Sequence, residues 1–137
     1  MSGDPAGGPP AGGTAGPDAS ARLGLALYNA GRFWEAHEAL EAVWRASGPA
    51  ERALWQGLIQ AAAAMLHRER GNRHGLEVQG RAAIAKLRVP PPDGFPVETV
   101  RFVRALADCV EAGGPVPRME LHAPSAGGRG ASRSRGS

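Results

Sequence analysis

The stretch from Ala50 to Arg70 constrains the fold most, because apolar and small residues occupy nearly every side of it. At 100° per residue, its large apolar side chains cover two adjoining sides of a helix. Gly57, Ala61 and Ala64 form a third, smooth side where another backbone can come close. A helix of this kind is normally buried in the middle of its domain. The sequence therefore predicts a helical protein built around this segment.

Four further helices are predicted from hydrophobic periodicity and from Gly and Pro punctuation. Their expected bounds are 18–29, 33–47, 73–88 and 97–112. No stretch of the sequence alternates between apolar and polar residues for long enough to predict a strand. Because the loops are short, successive helices should pack as antiparallel neighbours. The predicted fold class is all-α, a compact bundle of about five helices arranged as antiparallel helical hairpins. The first two helices resemble a tetratricopeptide-like pair in length, but no repeating period supports an array.

Both ends of the chain are poor in residues that could form a core. Residues 1–17 are mostly Gly, Pro and Ala, and residues 122–137 are rich in Gly, Ser and Arg. Such segments bury too little apolar surface to offset the entropy lost on ordering. We therefore expect one all-helical domain over residues 18–121, with a disordered tail on each side.

The charge balance of this domain limits the classes of partner. Residues 18–121 hold 13 basic and 12 acidic side chains, so most of the formal charge of +3 lies in the C-terminal tail. A domain without clustered positive charge gives no strong nucleic-acid signal. No apolar run is long enough to cross a membrane. The single cysteine, Cys109, excludes an internal disulfide, and without a recognisable leader the expected location is cytoplasmic.

One polar stripe interrupts the apolar third helix. It consists of Gln56, Gln60 and His67, which recur on one side of that helix. On the second helix, His37 and Glu41 lie one turn apart at the boundary of the predicted core. If the third helix is central, its stripe is buried and must find polar partners. We therefore expect the side chains of His37, Glu41 and Gln60 to lie within hydrogen-bond or metal-bridging reach of one another.

The order of these residues carries a family resemblance. A histidine is followed by a glutamate four positions later and by an aromatic residue after three more, here His37, Glu41 and Trp44. Together with the run Gln-Gly-Leu-Ile-Gln at 56–60, the chain resembles a prokaryotic family catalogued as domain of unknown function 309, over roughly residues 22–110. The resemblance implies a small all-helical domain whose signature residues are suspected of binding metal. It implies no particular activity.

Two interpretations of the polar set stay open. In the first, His37, Glu41 and His67 bind a divalent transition metal (zinc, iron or manganese) and leave one position free for water or for a substrate of a hydrolytic enzyme. Gln56 or Gln60 would then orient a ligand or a bound water. Further candidate residues of this site are Glu35, Glu38 and Trp44.

In the second interpretation, the polar set is a hydrogen-bond network that keeps the helices in register. The chain is then a helical interaction module, which binds a protein partner or a second copy through an exposed groove and through Trp34 or Trp55. The residues favour the structural network, because buried polar groups mark functional sites only statistically. Glu35 and Glu38 then belong to a solvated face, and Cys109 is a buried, inert thiol.

Overall fold

The computed structural model describes residues 11–122, which form five helices and one two-stranded ladder. In chain order the helices are α1 (Ala11–Asn29), α2 (Phe33–Ala46), α3 (Pro49–Glu69), α4 (Arg73–Leu87) and α5 (Val100–Ala112). The strands β1 (Val97–Glu98) and β2 (Glu120–Leu121) pair in antiparallel fashion. The predicted all-α fold of packed helical hairpins is confirmed.

Helix α1 is longer than the sequence predicts. It begins at Ala11, seven residues before the predicted first residue, Asp18. The Gly, Pro and Ala residues before Asp18 have no apolar period, so nothing in the sequence indicates a helix there. The predicted disordered tails lie largely outside the described residues, over 1–10 and 123–137, and disorder there stays a prediction.

Helix α5 is shorter than predicted, because the first three residues expected in it, 97–99, precede the helix. Val97 and Glu98 form β1 and pair with the strand that precedes the end of the described chain. The Glu98 carboxylate also accepts hydrogen bonds from the backbone N–H groups of Val100 and Arg101, both at 3.1 Å, and so caps the helix. A strand of two residues produces no alternating pattern, so periodicity could not indicate it.

Helix α3 is the central helix, as predicted. It packs against α2 and against α4, and nine of its residues are buried. Gly57 marks the close approach to α4, because a Cβ atom added there would lie 2.8 Å from the side chain of Leu87. The smooth side of α3 therefore serves tight helix packing.

The first helical hairpin and α5 complete the core on either side of this central pair. Gly24 of α1 lies against Leu40 of α2, where an added Cβ atom would come within 2.7 Å of the leucine side chain. On α5, Cys109 and Val110 are buried in the core. Burial raises the pKa of the Cys109 thiol, so this cysteine is protonated and packed, as the sequence predicts.

Residues 115–122 form a strap that crosses the C-terminal end of α1. The hydroxyl group of Tyr28 donates a hydrogen bond to the carbonyl oxygen of Pro117 at 2.7 Å. The side-chain amide of Asn29 donates to the carbonyl oxygen of Met119 at 2.8 Å and accepts from its backbone N–H at 3.0 Å. The Met119 side chain is buried. Burial raises the pKa of the Tyr28 phenol, which therefore stays a hydrogen-bond donor.

Candidate functional site

Four side chains share one side of α2, and we call them the α2 strip: Trp34, His37, Glu41 and Trp44. Their spacing of three and four residues places them above one another on one side of the helix. Trp44 shows where that side points, because the Arg52 guanidinium of α3 lies 4.5 Å from the centroid of its ring. His37 precedes Trp44 by almost two full turns, so it also points toward α3.

The α2 strip is most exposed where it begins, at Trp34. This residue is 54% exposed, and its ring stacks on the His37 imidazole with centroids 5.6 Å apart and planes 5° apart. The Nε2 atom of His37 lies 3.9 Å from one carboxylate oxygen of Glu41. Arg45 donates to the other carboxylate oxygen at 3.2 Å. The strip therefore presents an aromatic surface that is already held in place before any partner binds.

One polar atom of the α2 strip is buried without a partner. The Nδ1 atom of His37 makes no hydrogen bond within residues 11–122. A proton on Nε2 suits the contact with the Glu41 carboxylate, and Nδ1 is then a hydrogen-bond acceptor. A buried polar group without a partner costs about 1–3 kcal/mol. The strip therefore contains an acceptor that the fold itself does not use.

The polar stripe of α3 does not complete the α2 strip. His67 lies against α4, because a Cβ atom added at Gly75 would collide with the imidazole ring. Its Nδ1 atom is 3.1 Å from Nδ2 of Asn72, the residue that caps α4. Gln60 shares the side of His67, since seven residues are almost two turns, and its buried Oε1 has no partner in the described chain.

The predicted hydrogen-bond network between the two helices is therefore absent from the described residues. His37 and Gln60 each carry a buried atom without a partner, so these two atoms do not satisfy each other. Gln56 is only half-buried. His67 packs on Gly75 of α4, so the orientation of α3 places the His67 side chain against α4.

The predicted metal site is also not assembled. Residues 11–122 contain no group of three His, Cys, Asp or Glu side chains that could hold a metal ion. His37 and Glu41 remain one turn apart, but His67 is on the α4 side of α3. Zinc, iron and manganese sites use three or more protein donors, so two neighbouring side chains do not make one. The metal interpretation is therefore without structural support.

The other two candidate carboxylates of α2 differ in their surroundings. Glu35 pairs with Arg32, just before the helix. Glu38 is exposed and forms no ion pair with any residue between 11 and 122. It follows Trp34 by one turn, so the helical spacing places the two side chains on one side of α2. The exposure of Glu38 agrees with the predicted solvated face, but its lack of an ion pair in the described chain could only be seen in the structure.

Arg52 is the one residue of this region that the sequence did not indicate. A charged residue in the first turns of a helix carries no pattern that points to a ring on another helix. The two tryptophans that the sequence offered as contacts of an interaction module, Trp34 and Trp55, differ in exposure. Trp55 is buried at 2% exposure, whereas Trp34 is exposed at 54%.

Comparison with known proteins identifies the family of this region. Residues 21–78 match the profile of the family described as Domain of unknown function (DUF309). The resemblance to this family predicted from the sequence is confirmed over these residues, which are 58 of the 137 in the chain. The DUF309 region includes α2 and α3 entirely, and with them the α2 strip, whereas α5 and the strap lie beyond it. No curated protein matches the chain.

None of the helices between residues 11 and 122 combines the length and the apolar character needed to cross a bilayer.

Proposed function

We propose that this protein is a helical interaction module that binds a protein partner on the α2 strip, with Trp34 as the main contact. One observation carries the proposal: an exposed indole is held flat against His37, beside a buried acceptor that has no partner in the described chain. Tryptophan is enriched among the residues that carry most of the binding energy at protein interfaces. Stacking on His37 also reduces the side-chain entropy that the indole would lose on binding.

A purely structural role explains the α2 strip less well. In a structural network each buried polar atom has a partner, and these hydrogen bonds offset the free energy lost when the polar groups leave water. His37 Nδ1 departs from this rule among residues 11–122.

The shape of the surface favours a macromolecular partner over a small molecule. Small-molecule sites are concave and enclose most of the ligand, whereas protein interfaces can be nearly flat around an aromatic anchor. A cleft of about 410 Å³ opens beside the α2–α3 turn, but neither Trp34 nor His37 lines it. Trp55 does line that cleft, yet it is buried, and its Nε1–H group donates a hydrogen bond to the Glu51 carboxylate at 3.0 Å. Trp34 is therefore the better contact.

The proposal can be tested by site-specific photo-crosslinking of the full chain in the bacterial cytoplasm, the compartment we infer for it. A photoreactive phenylalanine analogue replaces Ala42, which is exposed and lies two turns after Trp34 on α2. The same analogue at Val78, exposed on α4, is the positional control. We expect a discrete adduct from position 42 and none of that size from position 78.

The matched control for this experiment uses a second exposed apolar residue. Trp34→Ala should abolish the adduct, whereas Leu23→Ala should leave it unchanged, although both residues are 54% exposed in the native chain. Equal loss with both substitutions, or an adduct that survives Trp34→Ala, would remove the proposal. Circular dichroism of both variants checks that the helices are intact.

A further inference from the structure

The exposed end of the α2 strip presents an aromatic face to a partner, and the neighbouring Glu38 adds a charge. Glu38 contributes a carboxylate without an ion pair in the described chain, one turn from Trp34. The nearby cations are already engaged, since Arg32 pairs with Glu35 and Arg45 pairs with Glu41. The complementary chemical group is therefore a cation that donates hydrogen bonds.

The same strip already shows how such a cation would be held. At its other end, the Arg52 guanidinium lies over the ring of Trp44, 4.5 Å from the centroid. Arg52 is exposed, so this contact forms in a partly solvated setting. A guanidinium over an indole at a site of this kind is a cation–π contact. Trp34 carries no such cation among residues 11–122, although it is the more exposed ring.

We propose that the partner places an arginine side chain on the outer face of Trp34, where the Glu38 carboxylate accepts its N–H groups. This inference rests on the proposed function and names the chemistry of the partner. Arginine fits better than lysine, because its planar guanidinium stacks on a ring while its edge donates to a carboxylate. An ammonium group is a compact, strongly hydrated charge that cannot stack in this way.

The inference is tested on the full chain by following the indole N–H signal of Trp34 in ¹H–¹⁵N NMR spectra. Trp34→Phe assigns that signal. The probes are N-acetyl-arginine amide, N-acetyl-lysine amide and N-acetyl-citrulline amide, at constant ionic strength. Citrulline has nearly the shape of arginine without its charge. We expect a saturable shift with arginine, at a dissociation constant of about 10–100 mM, and a much weaker response to citrulline and lysine.

Two carboxylate substitutions make the test specific. Glu38→Gln should weaken arginine binding by about two- to fivefold, because the acceptor charge is lost. Glu35→Gln should leave it unchanged, because Glu35 is occupied by Arg32. An equal response to arginine and citrulline, no saturable response to arginine, or no effect of Glu38→Gln would overturn the inference.

The outcome of the arginine titration can be distinguished from that of the crosslinking experiment. If the adduct at position 42 depends on Trp34 but the arginine probe does not bind, the interaction module stands and its arginine ligand is wrong. If arginine binds at Trp34 but no Trp34-dependent adduct forms, the ring recognises guanidinium and the proposed protein partner is wrong.

Discussion

The polar residues at the end of α1 and those of the α2 strip use their chemistry in opposite ways. Tyr28 and Asn29 direct their polar atoms to the backbone of the strap, with hydrogen bonds of 2.7–3.0 Å. In the α2 strip, His37 keeps a buried nitrogen without a partner in the described chain, and Trp34 faces solvent. Polar groups that are satisfied inside the fold hold it together. A buried nitrogen without a partner adds nothing to the stability of the fold, and an exposed ring adds little.

This comparison predicts a separation of effects. Substitutions where the strap meets α1 should lower the stability of the chain without acting directly on partner binding. Substitutions in the α2 strip should change binding and leave stability nearly intact.

The largest effect is expected for Met119→Ala in the strap. The Met119 side chain is 1% exposed, so its truncation removes buried apolar surface and leaves a cavity, which lowers the free energy of unfolding by about 2–5 kcal/mol. Urea unfolding followed by circular dichroism measures the change. Arg118→Ala, an exposed neighbour in the same strap, is the control and should have little effect. Equal effects of the two substitutions would mean that the strap is not anchored by its methionine.

The second effect concerns alkaline pH and Tyr28. Burial raises the pKa of this phenol, so the folded chain keeps a proton that the unfolded chain releases above about pH 10. The stability from this proton is fully present below that pH and falls as the pH rises further, by about 1.4 kcal/mol per pH unit. This decrease in the free energy of unfolding with rising pH should be absent in Tyr28→Phe. Burial also raises the pKa of Cys109, with the same sign, so both chains are compared in a Cys109→Ala background.

The alkaline experiment sharpens the comparison because it isolates one hydrogen-bonded group under the strap. Unfolding midpoints in urea between about pH 8 and pH 11 give the stability of each chain. If Tyr28→Phe retains the full alkaline slope, Tyr28 is not the group that titrates, and its role under the strap is smaller than we infer.

The smallest effect on stability is expected for His37→Leu. This substitution removes a buried nitrogen without a partner, so the free energy of unfolding should change by less than about 1 kcal/mol and can increase. His67→Leu is the matched control, because His67 lies within hydrogen-bond distance of Asn72 and packs on Gly75. It should destabilise the chain more than His37→Leu does. The opposite order would show that His37 belongs to the structural core of the protein.

Much of the fold could be predicted because local patterns decide it. The Gly and Pro residues between helices mark most of the boundaries, and α2 and α4 begin at the predicted Phe33 and Arg73. The central place of α3 follows from its small and apolar sides. The strap and its ladder could not be predicted, because two-residue strands carry no period and their partners lie more than twenty positions apart.

The polar residues that share a side of each helix could be found from the sequence alone, since the helical period sets their relative angles. His37 and Trp44 are on one side of α2, and Gln60 and His67 are on one side of α3. Where those sides point depends on the packing of the helices, because the small residues of α3 that meet α4 set the rotation of that helix. With α3 in that orientation, His67 lies against α4, while Trp34 of α2 is exposed to solvent.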